Sequence, residues 1–383
     1  MPVGLPEPRA LPKESDVSFD ADGLSSWKIL LAAEQEALAR TQAQPSSKYK
    51  NNLVAIRVLG FFMLDFKIRP FALGITPYNC LHLEVKSCLP LDGPADTLRP
   101  EFTNISELSL RYLNFLMQVF YSTTGPLLQT PVSHPSRPSF NDTKTRVLRQ
   151  IQSTDITSME IKELALFRDG YKCLLSGFYD RDSLRHYPEV AELFEQEMGL
   201  SGVTQCAYIF PETAQSIEKV IRQTFSGVLT FLARFGLEKE VKNLLGGRIN
   251  SLANILTLQA DLRIEFDRGN LWFEPVNDQP DTYDVVYDKY TNTHVRPFPD
   301  RVTFILNPDI VHACQQKGIQ PPALPSRMLL ATRAACSRVL HMSGAAEQIN
   351  IILRDIEEVG VLAKDGSAAD LLFSAISRAI PVD

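Results

Sequence analysis

The sequence predicts an α+β protein that is mainly helical, with a small β element surrounded by N- and C-terminal helices. Two observations predict this fold class. Apolar residues recur at helical spacing over long stretches in both the N-terminal and the C-terminal thirds of the chain. Between them lies the short apolar segment LWFEP (271–275), which is typical of a strand.

The chain begins with a segment, residues 1–20, that is rich in proline and charged side chains and is predicted to be a flexible tail. Residues 21–123 are predicted to form a helical region. Its first helix is GLSSWKILLAAEQEALAR (23–40), where apolar residues follow helical spacing. The second, LVAIRVLGFFMLDF (53–66), is so continuously apolar that we expect it to be buried.

A loop rich in Pro, Cys and Gly is predicted to follow, up to about Pro100. The next helix, NISELSLRYLNFLMQVFYS (104–122), places large apolar residues on one face, namely Leu108, Tyr112, Phe115, Leu116, Val119 and Phe120. This face predicts packing against the rest of the helical region.

Residues 124–141 are proline-rich and are predicted to form an extended linker. Residues 142–295 form the predicted central domain, which opens with a helix that ends on Gly170. A long helix with one apolar face is predicted over 214–235, and we expect it to pack rather than to bind a ligand. Residues 296–383 are predicted to form C-terminal helices.

The overall composition indicates a globular protein, with 44% hydrophobic and 22% charged residues. Its net charge of −6 disfavours nucleic acid, because most nucleic-acid binders are basic. From Ser251 to Tyr290, three cations stand against eight carboxylates, an excess that would repel duplex DNA. Nucleic acid is therefore not a predicted partner.

The six cysteines contain no CxxC pair, so neither a disulfide framework nor a zinc knuckle is predicted. The first twenty residues lack the apolar core of a secretory signal, and no segment approaches the roughly 18 apolar residues that a membrane span needs. The sequence therefore predicts an intracellular, cytoplasmic protein with free thiols and no membrane partner. It does not predict an oligomeric state.

Four sequence blocks occur in a specific order in the second third of the chain: SHPSRPSF (133–140), RDGYKCLLSG (168–177), TQCAYIFPE (204–212) and NILTLQADLRIEFDRGNLWFEP (254–275). In this order and spacing the chain resembles the HNH-endonuclease-domain proteins of fungi. The resemblance covers residues 133–290 and implies a small ββα core enclosed by the flanking helices.

The resemblance implies a metal centre in which a histidine on a β-hairpin acts as general base, an asparagine orients it, and a histidine on the following helix helps to hold a divalent cation. Asn254 matches the asparagine, but Tyr208 and Arg263 replace the two histidines. A phenol, with a pKa of about 10, stays protonated at neutral pH. A guanidinium cannot ligate a cation and repels one. The sequence therefore predicts a degenerate centre with no metal and no other cofactor.

Two interpretations of these polar residues stay open. In the first, Tyr208 and Arg263 face each other with Asn254 between them, and Asp267 lies one helical turn from Arg263. The four would then form a catalytic cluster that holds or protonates an anionic small molecule. In the second, the same residues are inert, and Arg263 only forms an i, i+4 pair with Asp267.

Four further residues are predicted to bind a substrate: Trp272, Phe273, Glu212 and His186. Three of them have a simpler interpretation that also stays open. Trp272 and Phe273 are suited to a strand in the core, and His186 to a loop that faces solvent.

Three functions from different classes remain open. In the first, an HNH-derived scaffold has lost its metal-dependent nuclease centre and binds or transforms a small molecule, in fungal secondary metabolism. The second is a catalytically inactive interaction or regulatory protein, and the third a residual metal-dependent endonuclease. Whether the chain is an enzyme is left open. The first two differ in whether Tyr208 lies on a packed hairpin or beside a cavity lined by Trp272, Phe273 and the 214–235 helix.

Overall fold

The computed structural model describes residues 4–70, 73–89, 102–121, 158–210, 228, 230–244, 251–288 and 298–358. The chain divides into two units. The hairpin unit comprises residues 1–5, 126–212 and 239–334, and the bundle unit comprises residues 6–125, 213–238 and 335–383. The predicted linker 124–141, residues 142–157 of the predicted central helix and the predicted helical segment 368–380 lie outside the described residues.

The helices of the described residues are, in chain order, α1 (Ala21–Ala43), α2 (Ser47–Ile68), α3 (Thr76–Ser87), α4 (Phe102–Tyr121), α5 (Ser158–Arg168), α6 (Arg181–His186), α7 (Pro188–Gln196), α8 (Glu238–Leu244), α9 (Ala260–Asp267), α10 (Pro308–Lys317), α11 (Arg327–Met342) and α12 (Ala345–Glu358). The strands are β1 (Tyr179–Asp180), β2 (Ser201–Gly202), β3 (Thr204–Tyr208), β4 (Ile255–Gln259), β5 (Leu271–Pro275), β6 (Thr282–Tyr287) and β7 (Arg301–Thr303). This content confirms the predicted mainly helical α+β class.

The bundle unit is built around α2, which is buried along most of its length. The predicted helix 53–66 lies wholly within α2, and its burial confirms the expectation for so continuously apolar a segment. Aromatic side chains fill the space between α2 and α4, where the ring of Phe62 lies 5.9 Å from that of Tyr112 and 6.2 Å from that of Phe115. All six residues of the predicted apolar face of α4 are buried.

Helix α3 corrects one prediction, because its residues were assigned to a loop. The proline that suggested a loop, Pro77, occupies the first turn of the helix. In the first turn a proline costs nothing, since the N–H that it lacks would have no helical partner there.

Leu11 and Pro12, within the segment 1–20 that was expected to be a flexible tail, are held by specific contacts. Leu11 is 6% exposed and donates its backbone N–H to the carboxylate of Glu34 in α1. The indole Nε1 of Trp27 donates to the carbonyl of Pro12. This segment is therefore held against the bundle unit by contacts that its composition does not reveal.

In the hairpin unit, α5 ends at Arg168, and Gly170 follows with the left-handed φ of 65° that terminates a helix. Strands β3 and β4 pair in antiparallel register, with Tyr208 opposite Ile255 and Thr204 opposite Gln259. Helix α9 follows β4 without a connecting loop. Strands β5, β6 and β7 form a separate three-stranded antiparallel sheet.

Along the described ranges, no helix combines the length and the apolar character that crossing a membrane requires. All six cysteines belong to described residues and none of them forms a disulfide.

Candidate functional site

The candidate site is the hairpin of β3 and β4 together with α9, because these elements carry the three motif positions. Side chains alternate between the two faces of a strand. Cys206 and Tyr208 therefore leave β3 on one face, and Gln205 and Ala207 leave it on the other. This alternation decides which motif side chains can meet.

Asn254 lies in a 3-10 turn that leads directly into β4, and its side chain is fully buried. The side-chain Oδ1 accepts the backbone N–H of Phe210 at 3.0 Å, and the Nδ2 donates to the carbonyl of Phe210 at 2.9 Å. The backbone carbonyl of Asn254 also accepts the N–H of Ile209 at 2.8 Å. The residue thus extends the hydrogen bonding of the hairpin beyond its last paired residues.

Tyr208 is half-buried at the end of β3 and packs against the core cluster that contains Cys206 and Ile255. That cluster also includes Ile161 and Phe167 of α5. The Tyr208 ring is therefore on the α5 face of the hairpin.

Arg263 lies on the opposite face of the hairpin. The Nη1 of Arg263 donates to the Oε1 of Gln205 at 3.0 Å, and its Nε donates to the Oδ2 of Asp267 at 3.2 Å. The guanidinium thus connects β3 to the C-terminal turn of α9. The predicted i, i+4 contact with Asp267 is present, but the structure does not bring Tyr208 and Arg263 face to face as the first interpretation required.

The carboxylate of Asp267 is 20% exposed, and the Arg263 side chain is 14% exposed. Burial raises the pKa of Asp267 above its ordinary value, while the positive charges of Arg263 and Arg333 act in the opposite direction. Burial is the larger of these effects, so the protein environment does not favour the charged carboxylate despite its two cationic neighbours.

Arg333 of α11 is a third polar element of the site and was not predicted. It is 1% exposed, and its Nη2 donates to the carbonyls of Phe266 and Asp267 at 2.9 and 3.1 Å. Its Nη1 donates to the carbonyl of Ile209 at 3.3 Å. A cation at the C-terminus of α9 also interacts favourably with the negative end of the helix dipole. No distinct signal in the sequence marked it, because Arg333 is one of three arginines in α11.

Arg168 and Asp169, also missed as functional residues, form a buried ion pair behind the motif asparagine. Their side chains are 0% exposed, with Nε to Oδ1 at 2.6 Å and Nη2 to Oδ2 at 2.8 Å. Arg168 also donates to the carbonyls of Leu252 and Ile255 at 2.7 and 2.9 Å, on either side of Asn254. The Arg-Asp-Gly block, noted in the sequence only as part of a resemblance, holds the turn that carries the asparagine.

The two aromatic residues predicted to bind a substrate lie on opposite faces of one strand. Trp272 and Phe273 are 1% and 0% exposed and, as neighbours in β5, point to opposite faces of the sheet. Trp272 packs against Val286, whereas the ring of Phe273 lies 5.5 Å from that of Phe304. They therefore do not line one wall together.

His186 is the last residue of α6 and is half-buried, so it belongs to a helix and not to a loop. Glu212 lies outside the described residues. The described part of the 214–235 segment belongs to the bundle unit, where Phe231, Leu232 and Phe235 are buried. Burial of these three confirms that the described part of this segment packs.

The residues at the motif positions do not fit the divalent metal that the resemblance implies. Arg263 brings a fixed positive charge, and the Oδ1 of Asn254 already accepts a backbone N–H. Within the part of the chain that the structure describes, no three His, Cys, Asp or Glu side chains are grouped closely enough to hold a metal ion.

Comparison with known proteins gives one family. A family model described as HNH endonuclease matches residues 173–274, just over a quarter of the chain. No curated protein and no solved structure matches the chain significantly. The matched range contains the β3–β4 hairpin, Asn254, α9 and most of β5. Residues 173–274 of this chain therefore form an HNH-type domain.

Proposed function

We propose that the HNH-type domain of this chain is a scaffold without metal-dependent nuclease activity, and that the chain acts as an interaction or regulatory protein.

One observation carries the proposal: the polar groups of Asn254 and Arg263 form hydrogen bonds to other groups of the protein. Both amide atoms of Asn254 bind the backbone of Phe210. The Nε and Nη1 of Arg263 bind Asp267 and Gln205. A catalytic centre requires such groups to converge on a position that substrate can occupy. Here they hold secondary-structure elements together.

The position of Tyr208 gives further support. Its ring packs against the core cluster on the α5 face, while Arg263 lies on the α9 face. A closed, packed hairpin with Tyr208 buried was the arrangement expected of an interaction protein, and an enclosed cavity the arrangement expected of a small-molecule enzyme. Tyr208 is packed but only half-buried, so it meets the first expectation in part. The small-molecule function, including a role in secondary metabolism, remains an untested prediction, and the burial of Trp272 and Phe273 does not favour it.

The charge of the domain also supports the proposal. The Ser251–Tyr290 segment has an excess of five carboxylates over cations. A nuclease neutralises the phosphates of its substrate with cations, and without a bound metal this segment would repel them.

A plasmid assay tests the loss of nuclease activity. The purified chain is incubated with supercoiled plasmid and Mg²⁺, Mn²⁺ or Ni²⁺, and with EDTA as the reference. We expect nicking at the same rate with metal as with EDTA. Metal-dependent nicking that elutes with the chain in gel filtration, and that is lost in a folded Asn254→Ala variant, would contradict the proposal.

A second experiment tests the small-molecule alternative. The chain is purified under native conditions and denatured, and the supernatant is analysed by mass spectrometry. We expect no compound in stoichiometric amount. A compound that is present with the wild-type chain but absent from an Arg263→Ala variant would favour the small-molecule function instead.

A further inference from the structure

A separate feature of the bundle unit is the segment Arg9–Phe19, here called the strap. Apart from one 3-10 turn at Glu14–Asp16, it contains no regular secondary structure. Most of its side chains are exposed, but Leu11 is 6% exposed. Peptide-recognition sites combine bonds to the peptide main chain with pockets for single side chains, and the contacts of the strap are of both kinds.

The anchor, Leu11, is accommodated by a glycine within a buried helix. A Cβ atom added at Gly60 of α2 would come within 2.6 Å of the Leu11 side chain. Glycine in the interior of a helix destabilises it relative to alanine. Its presence at this position makes room for the incoming leucine.

The backbone on either side of the anchor is bound by side chains of α1. Both carboxylate oxygens of Glu34 accept the N–H of Leu11 at 3.2 Å. Glu34 is only 9% exposed and is held by the Nε of Arg57 at 2.6 Å. The Nε1 of Trp27 donates to the carbonyl of Pro12 at 3.2 Å. Groups that bind backbone N–H and C=O recognise the extended course of a chain.

The two ends of the strap make further contacts. The N–H of Arg9 donates to the carbonyl of Met342 at 3.0 Å, and the Arg9 guanidinium lies 5.8 Å from the centre of the Phe61 ring. At the other end, the Phe19 ring lies 5.2 Å from that of Trp27. The bound sequence thus runs basic residue, spacer, buried leucine and proline.

We propose that this groove is a peptide-recognition site for extended segments of the type Arg-x-Leu-Pro, and that the chain's own residues 9–12 occupy it in cis. A partner protein that presents such a segment competes with the strap for the same leucine pocket. The inference concerns the bundle unit and does not depend on whether the HNH-type domain is catalytic.

Tethering determines how the site responds. A short tether gives the strap an effective concentration on the order of millimolar. A free peptide at micromolar concentration therefore finds the groove of the wild-type chain filled. When the strap is released, the same peptide binds.

Fluorescence anisotropy with a labelled peptide of residues 6–19 tests the proposal. The titrated proteins are the full wild-type chain and a full-length Leu11→Glu variant, in which a charged side chain cannot enter the pocket over Gly60. We expect saturable binding to the variant and at least about tenfold weaker binding to the wild type, since the tethered strap competes. Circular dichroism and a thermal melt establish that the variant is folded.

Two matched controls locate the binding. The peptide carrying Leu11→Glu should not bind to the Leu11→Glu chain, and a Leu11→Glu/Gly60→Val chain should not bind the unaltered peptide. A folded Leu11→Glu chain that fails to bind, or equal binding of both peptides, would overturn the proposal.

If Leu11→Glu does not fold, the wild-type chain with a protease site in place of Glu14–Asp16 provides the second test. After cleavage, uptake of the labelled peptide in exchange for the cleaved segment supports the proposal. Permanent retention of the cleaved segment, or its loss without uptake of label, identifies the strap as a fixed arm and overturns it.

Discussion

The guanidinium of Arg263 joins α9 to β3, with one bond to Asp267 and one to Gln205. Asn254 binds the backbone of Phe210 in the same manner, with both of its amide atoms. At these two motif positions the side chains therefore connect and stabilise elements of the fold. Because Asn254 is fully buried, its removal would leave two backbone groups without partners and without water.

Substitution of Asn254 by alanine should destabilise the chain markedly. We expect a loss of about 2–4 kcal/mol in the free energy of unfolding, because each orphaned buried polar group costs roughly 1–3 kcal/mol. Asn270→Ala is the matched control, since Asn270 is only half-buried and its Nδ2 bonds to the Glu265 carboxylate. Denaturant unfolding measures both. Equal effects of the two substitutions would refute the structural role of Asn254.

Restoring the two motif histidines should not restore a metal site. Tyr208 lies on the α5 face of the hairpin and Arg263 of α9 lies against the opposite face, so the histidines of a Tyr208→His/Arg263→His variant would not converge on one cation. In isothermal titration with Mn²⁺ or Zn²⁺, the double variant should give no more binding heat than either single variant gives. A stoichiometric site found only in the double variant would contradict this arrangement.

At the scale of secondary-structure elements, helix ends depend on local side chains. Helix α1 begins after Asp20, whose Oδ1 accepts the N–H of Gly23 at 2.7 Å. The Asp20 Oδ2 also accepts a bond from Lys67 of α2 at 3.1 Å. The N–H of Gly23 is the main cause that lowers the pKa of Asp20, and Lys67 acts in the same direction. One residue thus caps α1 and links it to α2.

Replacement of Asp20 by alanine should lower the free energy of unfolding by about 1 kcal/mol, the usual value of an N-cap. Asp16→Ala is the control, because Asp16 caps no α-helix. The folded pKa of Asp20 lies below the ordinary value of 3.8, so the stabilisation is complete above that pH and is lost as the pH falls through the folded pKa. The difference between wild type and Asp20→Ala should therefore shrink on acidification below pH 3.8. If the difference in unfolding free energy does not change with pH, the charge of Asp20 does not contribute to the stability of the helix cap.

At the scale of the whole molecule, each unit has its own core and its own buried ion pair. In the hairpin unit this is Arg168 with Asp169, and in the bundle unit Arg338 with Asp65, whose two bonds are both 2.7 Å long. Breaking a buried pair by removing one partner is costly, because it leaves an uncompensated charge. Both ion pairs lie among the described residues, and neither requires a bound metal to balance its charge.

The thermal stability of the full chain should not depend on divalent metal. A metal that binds the folded state at one hundred times its Kd stabilises it by about 2.7 kcal/mol, which would raise Tm by several degrees. Without such a site, Tm in millimolar Mg²⁺ or Mn²⁺ should agree with Tm in EDTA to within about 1 °C. Differential scanning calorimetry measures both Tm values, and a metal-dependent rise of Tm by several degrees would contradict the prediction.

The class of the fold and much of its helical content could be predicted from the amino-acid sequence. Apolar periodicity is a local property, so it placed α1, α2 and α4, and Gly170 marked the end of α5. It failed at α3, where a proline in the first turn of the helix was taken for a loop signal. The motif blocks also located the HNH-type domain.

The contacts of the polar residues became visible only in the folded chain. The face on which Tyr208 leaves β3 depends on strand register, and the bonds from Arg168 to Leu252 and from Arg333 to Ile209 join residues far apart in the chain. The strap is another example. The composition of residues 1–20 predicts a tail, whereas Gly60 makes room for the Leu11 side chain and Glu34 accepts the N–H of Leu11. Contacts between distant residues leave no periodic trace in the sequence, and for that reason composition and spacing could not reveal them.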